Sequence, residues 1–226
     1  VGQWPDGAPE PDEVEGQQTE MDGVEFGVAL RSRTLWALAV SSACLWYSIN
    51  AINSQATIFF EQDAGLSPAR ATFFYATIFA CSVAGKFRFG ALSDFIAKHR
   101  VMLMSATLLF CGSLLVFVPG DTGLQLSQNE SQLMIFAVVF GLGYGGSFTM
   151  IQLVCVECFG QKALGKLLGI VIFVDSLGAA LGIALSGQLK ASSGSYFVPF
   201  ATVAAVAFIA IISTLLIKPL QQQNSA

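Results

Sequence analysis

Six apolar stretches, each long enough to cross a bilayer as a helix, dominate this chain of 226 residues. They run Leu35–Phe59, Thr72–Leu92, Val101–Val118, Leu133–Cys158, Leu167–Leu189 and Tyr196–Ile217. A hydrocarbon core about 30 Å thick needs about 20 helical residues to span it. Inside that core a backbone must satisfy its own N–H and C=O groups, which a helix does within one segment. The expected fold class is therefore an all-α membrane protein with six transmembrane helices. Turn-rich polar joints separate the stretches, among them Asp63-Ala64-Gly65-Leu66-Ser67-Pro68 and Pro119-Gly120-Asp121-Thr122-Gly123. Only 12% of the residues are charged, about half the share of a soluble domain.

The charge that remains is unevenly placed. The first 28 residues hold eight acids and no base, against a net charge of −4 for the whole chain. With Pro5, Pro9 and Pro11 among them, these residues hold too little apolar surface to offset the entropy of ordering. Residues 1–29 are expected to be a disordered acidic cytoplasmic segment, 30–218 a six-helix transmembrane domain, and 219–226 a cytoplasmic tail. The head has no basic start followed by a short apolar core, so it is not a signal peptide. Beginning on Val1 rather than Met, the chain reads as a fragment or a processed chain.

An even number of spans puts both ends on one side. On that side lie Arg31, Arg33, Lys98, Arg100, Lys162, Lys166 and Lys218, with Lys86 and Arg88 just inside the membrane. The opposite side has only Arg70 and Lys190. The excess of bases predicts that both termini are cytoplasmic. No basic patch lies away from the membrane flanks, so a nucleic-acid partner is not expected. Asn129-Glu130-Ser131, on the opposite side, matches the pattern of an N-glycosylation acceptor.

Two patterns are decoys. Cys155-Val156-Glu157-Cys158 has the spacing of a metal or redox pair, but His99 is the sole histidine and two further ligands at matched spacing are missing. Gly141-Leu142-Gly143-Tyr144-Gly145-Gly146 fits the dinucleotide fingerprint Gly-x-Gly-x-x-Gly formally. It lies within an apolar span, with no preceding strand and no acid at the ribose distance. Its glycines suit close helix crossing, as do Gly178 and Gly182 in the next span. No cofactor, no metal and no catalytic constellation is predicted, which argues against an enzyme.

The joint between the second and third spans carries the most specific motif. Gly90-Ala91-Leu92-Ser93-Asp94, followed by Lys98-His99-Arg100, resembles the cytoplasmic loop signature of the major facilitator superfamily, which reads roughly Gly-x-Leu-small-Asp-Arg-x-Gly-Arg-Arg/Lys. Phe95 stands where the signature usually has Arg, and Ala97 where it has Gly. Glu157-Cys158-Phe159-Gly160, then Leu164, Gly165 and Gly169, looks like the joint between the fourth and fifth helices of a facilitator half. The acidic head looks like the central loop between the halves. The resemblance implies the C-terminal half of a twelve-helix secondary transporter, partnered by a missing N-terminal half or by a second copy. It implies gating roles for Gly90, Leu92, Asp94, Lys98, Arg100 and Glu157. Asp94 would face the N-terminus of a helix in the other half, where a carboxylate meets free N–H groups and the positive dipole end.

Polar residues inside the spans are the substrate-pathway candidates. Asp175 lies near the middle of the fifth span, and a membrane carboxylate usually faces a cavity and serves ions, protons or substrate. Low dielectric favours the neutral form of a carboxylic acid, which would suit proton coupling. Lys86 and Arg88 point to nearly opposite sides of one helix, so at most one lines a central cavity and the other snorkels. A base after Gly in this helix is similar to the monocarboxylate and oxalate–formate branches of the superfamily. Asn50 and Asn53 share a face of the first span, and Gln152 and Tyr144 lie in the fourth. The function expected is secondary active transport of a small solute by alternating access, with an organic anion coupled to protons as the candidate cargo. A half-size homodimeric transporter, and a non-transporting receptor or assembly subunit on the same fold, are the alternatives.

Overall fold

The computed structural model describes residues 23–120 and 123–218. These form α1 (Phe26–Leu30), α2 (Arg33–Gln62), α3 (Pro68–Leu92), α4 (Lys98–Leu114), β1 (Phe117–Gly120), β2 (Gly123–Leu126), α5 (Glu130–Phe159), α6 (Leu164–Ser193) and α7 (Phe197–Leu215). Helix ends follow local chemistry. Ser32 Oγ accepts from Leu35 N–H at the start of α2, Pro68 opens α3, and Asn129 Oδ1 accepts from Ser131 N–H before α5. Gly160 and Gly194 close α5 and α6 with φ of 69° and 71°, which a side chain rarely adopts.

Helices α2, α5 and α6 have 30 residues each, about 45 Å at 1.5 Å per residue. They overrun the expected spans at both ends. Among the described residues, four helices are long and apolar enough to cross a membrane: α2, α5, α6 and α7. Helix α4 has 17 residues, and α3 carries Arg70, Lys86 and Arg88.

Two expectations are corrected. The third apolar stretch was expected to stay helical to Val118, but the helix stops at Leu114 and a β-hairpin follows. Val116-Phe117-Val118 favours extended backbone, and Pro119 both restrains the residue before it and lacks an N–H for a helix. The domain is thus helical with one two-stranded hairpin, Phe117 facing Leu126 and Gly120 facing Gly123. Gln132 Nε2 donates to the Leu115 and Phe117 carbonyls (2.7 and 3.2 Å), satisfying the end of α4. The second correction concerns residues 23–29, expected to be unstructured. Val24 N–H donates to the Phe159 carbonyl (2.8 Å), Gly23 bridges Gly160, and Ala29 in α1 is fully buried. Residues 1–22 and 219–226 of the expected head and tail lie outside the described residues.

The long helices pack as two groups of three. One centres on α5, with α3 and α4 against it; the other centres on α2, with α6 and α7. Glycines set both. A Cβ on Gly141 would lie 2.5 Å from the Ile78 carbonyl oxygen of α3, and one on Gly143 would lie 2.6 Å from Leu109 N of α4. Gly145 meets the Ser82 carbonyl of α3 in the same way, and Gly146 meets Ser105 of α4 and Phe89 of α3. In α6, Gly178 and Gly182 take the backbone of Ala43 and Tyr47 in α2. The nucleotide-like glycine run is therefore a packing surface, where small residues let backbones approach.

Aromatic rings join the two groups. Phe59 and Phe60 of α2 stack edgewise on Phe200 of α7 (4.9 Å) and Phe74 of α3 (5.6 Å), and all four are buried. Ser41 Oγ and Thr214 Oγ1, 2.6 Å apart, form a buried polar link between α2 and α7.

Candidate functional site

Trp46 and Asn50 lie one turn apart on α2; Phe148 and Gln152 do the same on α5. On α6, Ile172, Asp175, Ser176 and Ala179 form one face. These three faces converge on a cavity of 340 Å³, which Ile151 and Leu168 complete. The walls are mainly apolar and carry few polar groups, the usual make-up of a small-molecule site.

Among the described residues, Asp175 is the one ionisable side chain lining the cavity. It is 7% exposed, and its Oδ1 has no hydrogen-bond partner. Ser42 and Trp46 of α2 lie beside the carboxyl. The Ser42 hydroxyl is already committed to the Ala39 carbonyl (3.1 Å), and the neighbouring Ser176 hydroxyl to that of Ile172 (2.9 Å). A buried acceptor without a donor is rare in folded proteins; Oδ1 itself is shut off from the surface, while the Asp175 side chain lines the cavity. Asn50 is oriented by its own helix, Nδ2 donating to the Trp46 carbonyl (2.9 Å).

Of the seven pathway candidates, the cavity brings together Asn50, Gln152 and Asp175. Two more stand behind its aromatic wall. Lys86 is half-buried, with Nζ 4.3 Å from the centroid of the Phe148 ring, whose edge packs on Trp46 at 5.9 Å. Tyr144 meets Trp46 edgewise at 6.5 Å and Phe79 at 6.1 Å. Arg88 is exposed, on the other side of α3. Asn53 does not line the cavity; its Oδ1 is buried without a partner further along α2. Sequence reasoning passed over Trp46 and Phe148, although each stands four residues before an amide already singled out.

The candidate gating residues cluster at one end of the bundle. Glu157 Oε1 accepts from Lys98 N–H (3.0 Å) and Oε2 from His99 N–H (3.2 Å), at the start of α4. His99 Nδ1 lies 3.3 Å from Oε2. Leu92 packs against the core, while Asp94 and Arg100 are exposed. Among the described residues the Asp94 carboxylate makes no hydrogen bond or ion pair. Gly90 has open space around it, and its carbonyl accepts from the Ser93 hydroxyl (2.6 Å).

At the opposite end both cations are paired, Arg70 with Glu130 and Lys190 with Asp63 (3.2 Å). Lys190 Nζ also lies 4.0 Å from the centroid of the Tyr196 ring. Cys155 and Cys158 are buried, and among the described residues no three His, Cys, Asp or Glu side chains group as metal ligands would.

The profile of the Major Facilitator Superfamily matches residues 8–226. The rat protein Monocarboxylate transporter 13 is 28% identical over 144 residues, 64% of this chain and 32% of its own. The cis,cis-muconate transport protein of Acinetobacter baylyi is 27% identical over 190 residues, 83% of this chain and 43% of its own. The chain thus spans less than half the length of these relatives. Among solved structures, a bacterial homologue of the human drug peptide transporters superposes with a TM-score of 0.72 at 16% identity, over 84% of this chain and 42% of that one. A structure described as bearing on substrate recognition in proton-dependent oligopeptide transporters superposes with a TM-score of 0.69 at 15% identity, over 82% of this chain and 42% of that one. At such identities the superpositions speak for the fold alone.

Proposed function

The chain belongs to the Major Facilitator Superfamily, and from that premise we propose that it forms the C-terminal six-helix half of a secondary transporter, α2 to α7 being the six spans. Both ends of the domain would face the cytoplasm, on the side where most of the bases gather. Solute would bind between this half and an N-terminal one, and the halves would rock to expose it to either side in turn. Two things support the reading of a half: the share of its relatives that the chain covers, and the superposition on part of larger bundles.

The cargo we propose is a small organic anion moving with protons. The observation that carries it is Asp175, a buried carboxylic side chain that lines a 340 Å³ cavity and has one oxygen without a hydrogen-bond partner among the described residues. Protonated, Asp175 would be neutral and add a hydroxyl donor to the amide donors of Asn50 and Gln152; ionised, it would repel the anion and favour its release. Lys86, one ring away behind Phe148, would supply the attracting charge once that ring turns aside. The names of two relatives, a monocarboxylate and a muconate transporter, point to the same class of solute.

The test uses the full-length protein in proteoliposomes, with a labelled monocarboxylate and a labelled dicarboxylate as probes. Saturable exchange, and accumulation driven by an inward proton gradient, are expected. Asp175→Asn should keep exchange but lose gradient-driven accumulation. Unchanged accumulation in that variant would remove the proton role, and no saturable movement of either probe would remove the anion reading.

A further inference from the structure

A second concave surface lies away from the cavity, where the start of α2 meets the end of α7. It measures 880 Å³ and shares no residue with the cavity. Arg31, Arg33 and Lys218 stand at its rim, all exposed. Thr34 Oγ1 donates to the Lys218 carbonyl (2.9 Å), which holds the third base beside the other two although 184 residues separate Thr34 from Lys218. None of the three forms an ion pair among the described residues. Below the rim the surface turns apolar, with Val40 of α2 at 44% exposure and Leu215 and Leu216 at 61% and 63%. Trp36 sits between the two zones, its Nε1 donating to the Leu30 carbonyl (3.0 Å).

We propose that this groove is a binding site for an anionic phospholipid of the leaflet on the side of the chain ends. The phosphate would meet the three bases, and an acyl chain would lie along Val40, Leu215 and Leu216. Each layer of the groove matches the layer of a bilayer at that depth. Bases belong at the headgroup level, an amphipathic indole at the interface and aliphatic side chains in the hydrocarbon. A free phosphate would use the rim and leave the apolar wall exposed. The acidic residues of the chain's own head would do the same, and only a lipid satisfies both zones. These three cations, without an ion pair among the described residues, also line no part of the cargo cavity.

The experiment uses the full-length protein, stripped of lipid and titrated with phosphatidylglycerol or phosphatidylcholine, with bound lipid counted by native mass spectrometry. Phosphatidylglycerol should bind preferentially, and glycerol phosphate without acyl chains should not displace it. Neutralising the bases as Arg31→Gln, Arg33→Gln and Lys218→Gln should weaken binding roughly fivefold for each, about a hundredfold together. Arg31→Lys with Arg33→Lys should keep the preference and serves if the triple variant folds poorly. In addition, phosphatidylglycerol with brominated acyl chains should quench Trp36 fluorescence, a loss absent from Trp36→Phe. Equal binding of the two lipids, an unchanged preference in the triple variant, or displacement by glycerol phosphate would overturn the proposal. So would a preference that emerges only after the acids of residues 1–22 are neutralised, which would assign the groove to the head.

Discussion

Glu157, two residues before the end of α5, places Oε1 3.0 Å from the backbone N of Lys98, the first residue of α4. Its second oxygen takes the next N–H, from His99 at 3.2 Å. Helix α4 has no capping side chain of its own, because Ala97 stands at the N-cap. A carboxylate 59 residues away in sequence does the capping, and meets the positive end of the helix dipole. The loop that carries Gly90, Leu92 and Asp94 is thus anchored at its far end by α5.

Removing that carboxylate should loosen the start of α4. Glu157→Ala leaves two N–H groups without a partner and is expected to cost about 1–2 kcal/mol. Glu157→Gln keeps an acceptor for one of the two N–H groups and loses the charge and the second acceptor, about 1 kcal/mol. Thermal unfolding of the full-length protein in detergent checks the order. A Gln variant as damaged as the Ala variant would show that charge, not capping, matters.

Lys86 and Arg88 should separate cleanly in transport. Lys86→Gln is expected to raise the KM for a carboxylate probe at least tenfold, because Lys86 alone stands against the cavity wall. Arg88→Gln should change KM less than twofold, since that side chain points away. The KM ratio of the two variants is the readout, and equal effects would reverse the assignment of the α3 face.

Two glycines offer a paired test of the packing. A Cβ on Gly145 would strike the Ser82 carbonyl of α3, whereas one on Gly169 meets nothing within 4 Å. Gly145→Ala should destabilise by roughly 1–3 kcal/mol through overpacking. Gly169→Ala should be neutral or stabilise by up to about 1 kcal/mol, through better helix propensity. Similar losses at both positions would mean that the α3–α5 approach is looser than this.

The Lys190–Asp63 pair predicts an asymmetry. Asp63→Asn removes one partner of Lys190, which keeps the Gly194 carbonyl (3.3 Å) and the Tyr196 ring. Lys190→Ala removes all three contacts at once and should lower the unfolding temperature further. Both losses should shrink in high salt, the Asp63 variant's more completely, because the ring contact is partly desolvated.

The apolar stretches could be located from the sequence because hydropathy is local and a bilayer demands length. The same holds for the loop motif and the decoy status of the glycine run. The stop at Leu114 was also written locally, in Val116-Phe117-Val118-Pro119, but apolar content masked it. Hydropathy does not distinguish a buried strand residue from a helical one.

What a sequence of this kind determines by itself is which segments leave water, since each residue's transfer energy belongs to it alone. Only the tertiary structure decided which polar groups meet. Asn50, Gln152 and Asp175 share a cavity while Asn53 does not, and Glu157 rather than a local residue caps α4. The physical reason is that a side chain's direction depends on how its helix is rotated. That rotation is set where Gly178 and Gly182 lie on Ala43 and Tyr47, and where Gly141 and Gly145 lie on Ile78 and Ser82. These contacts join segments far apart in the chain, and no window along it contains both partners.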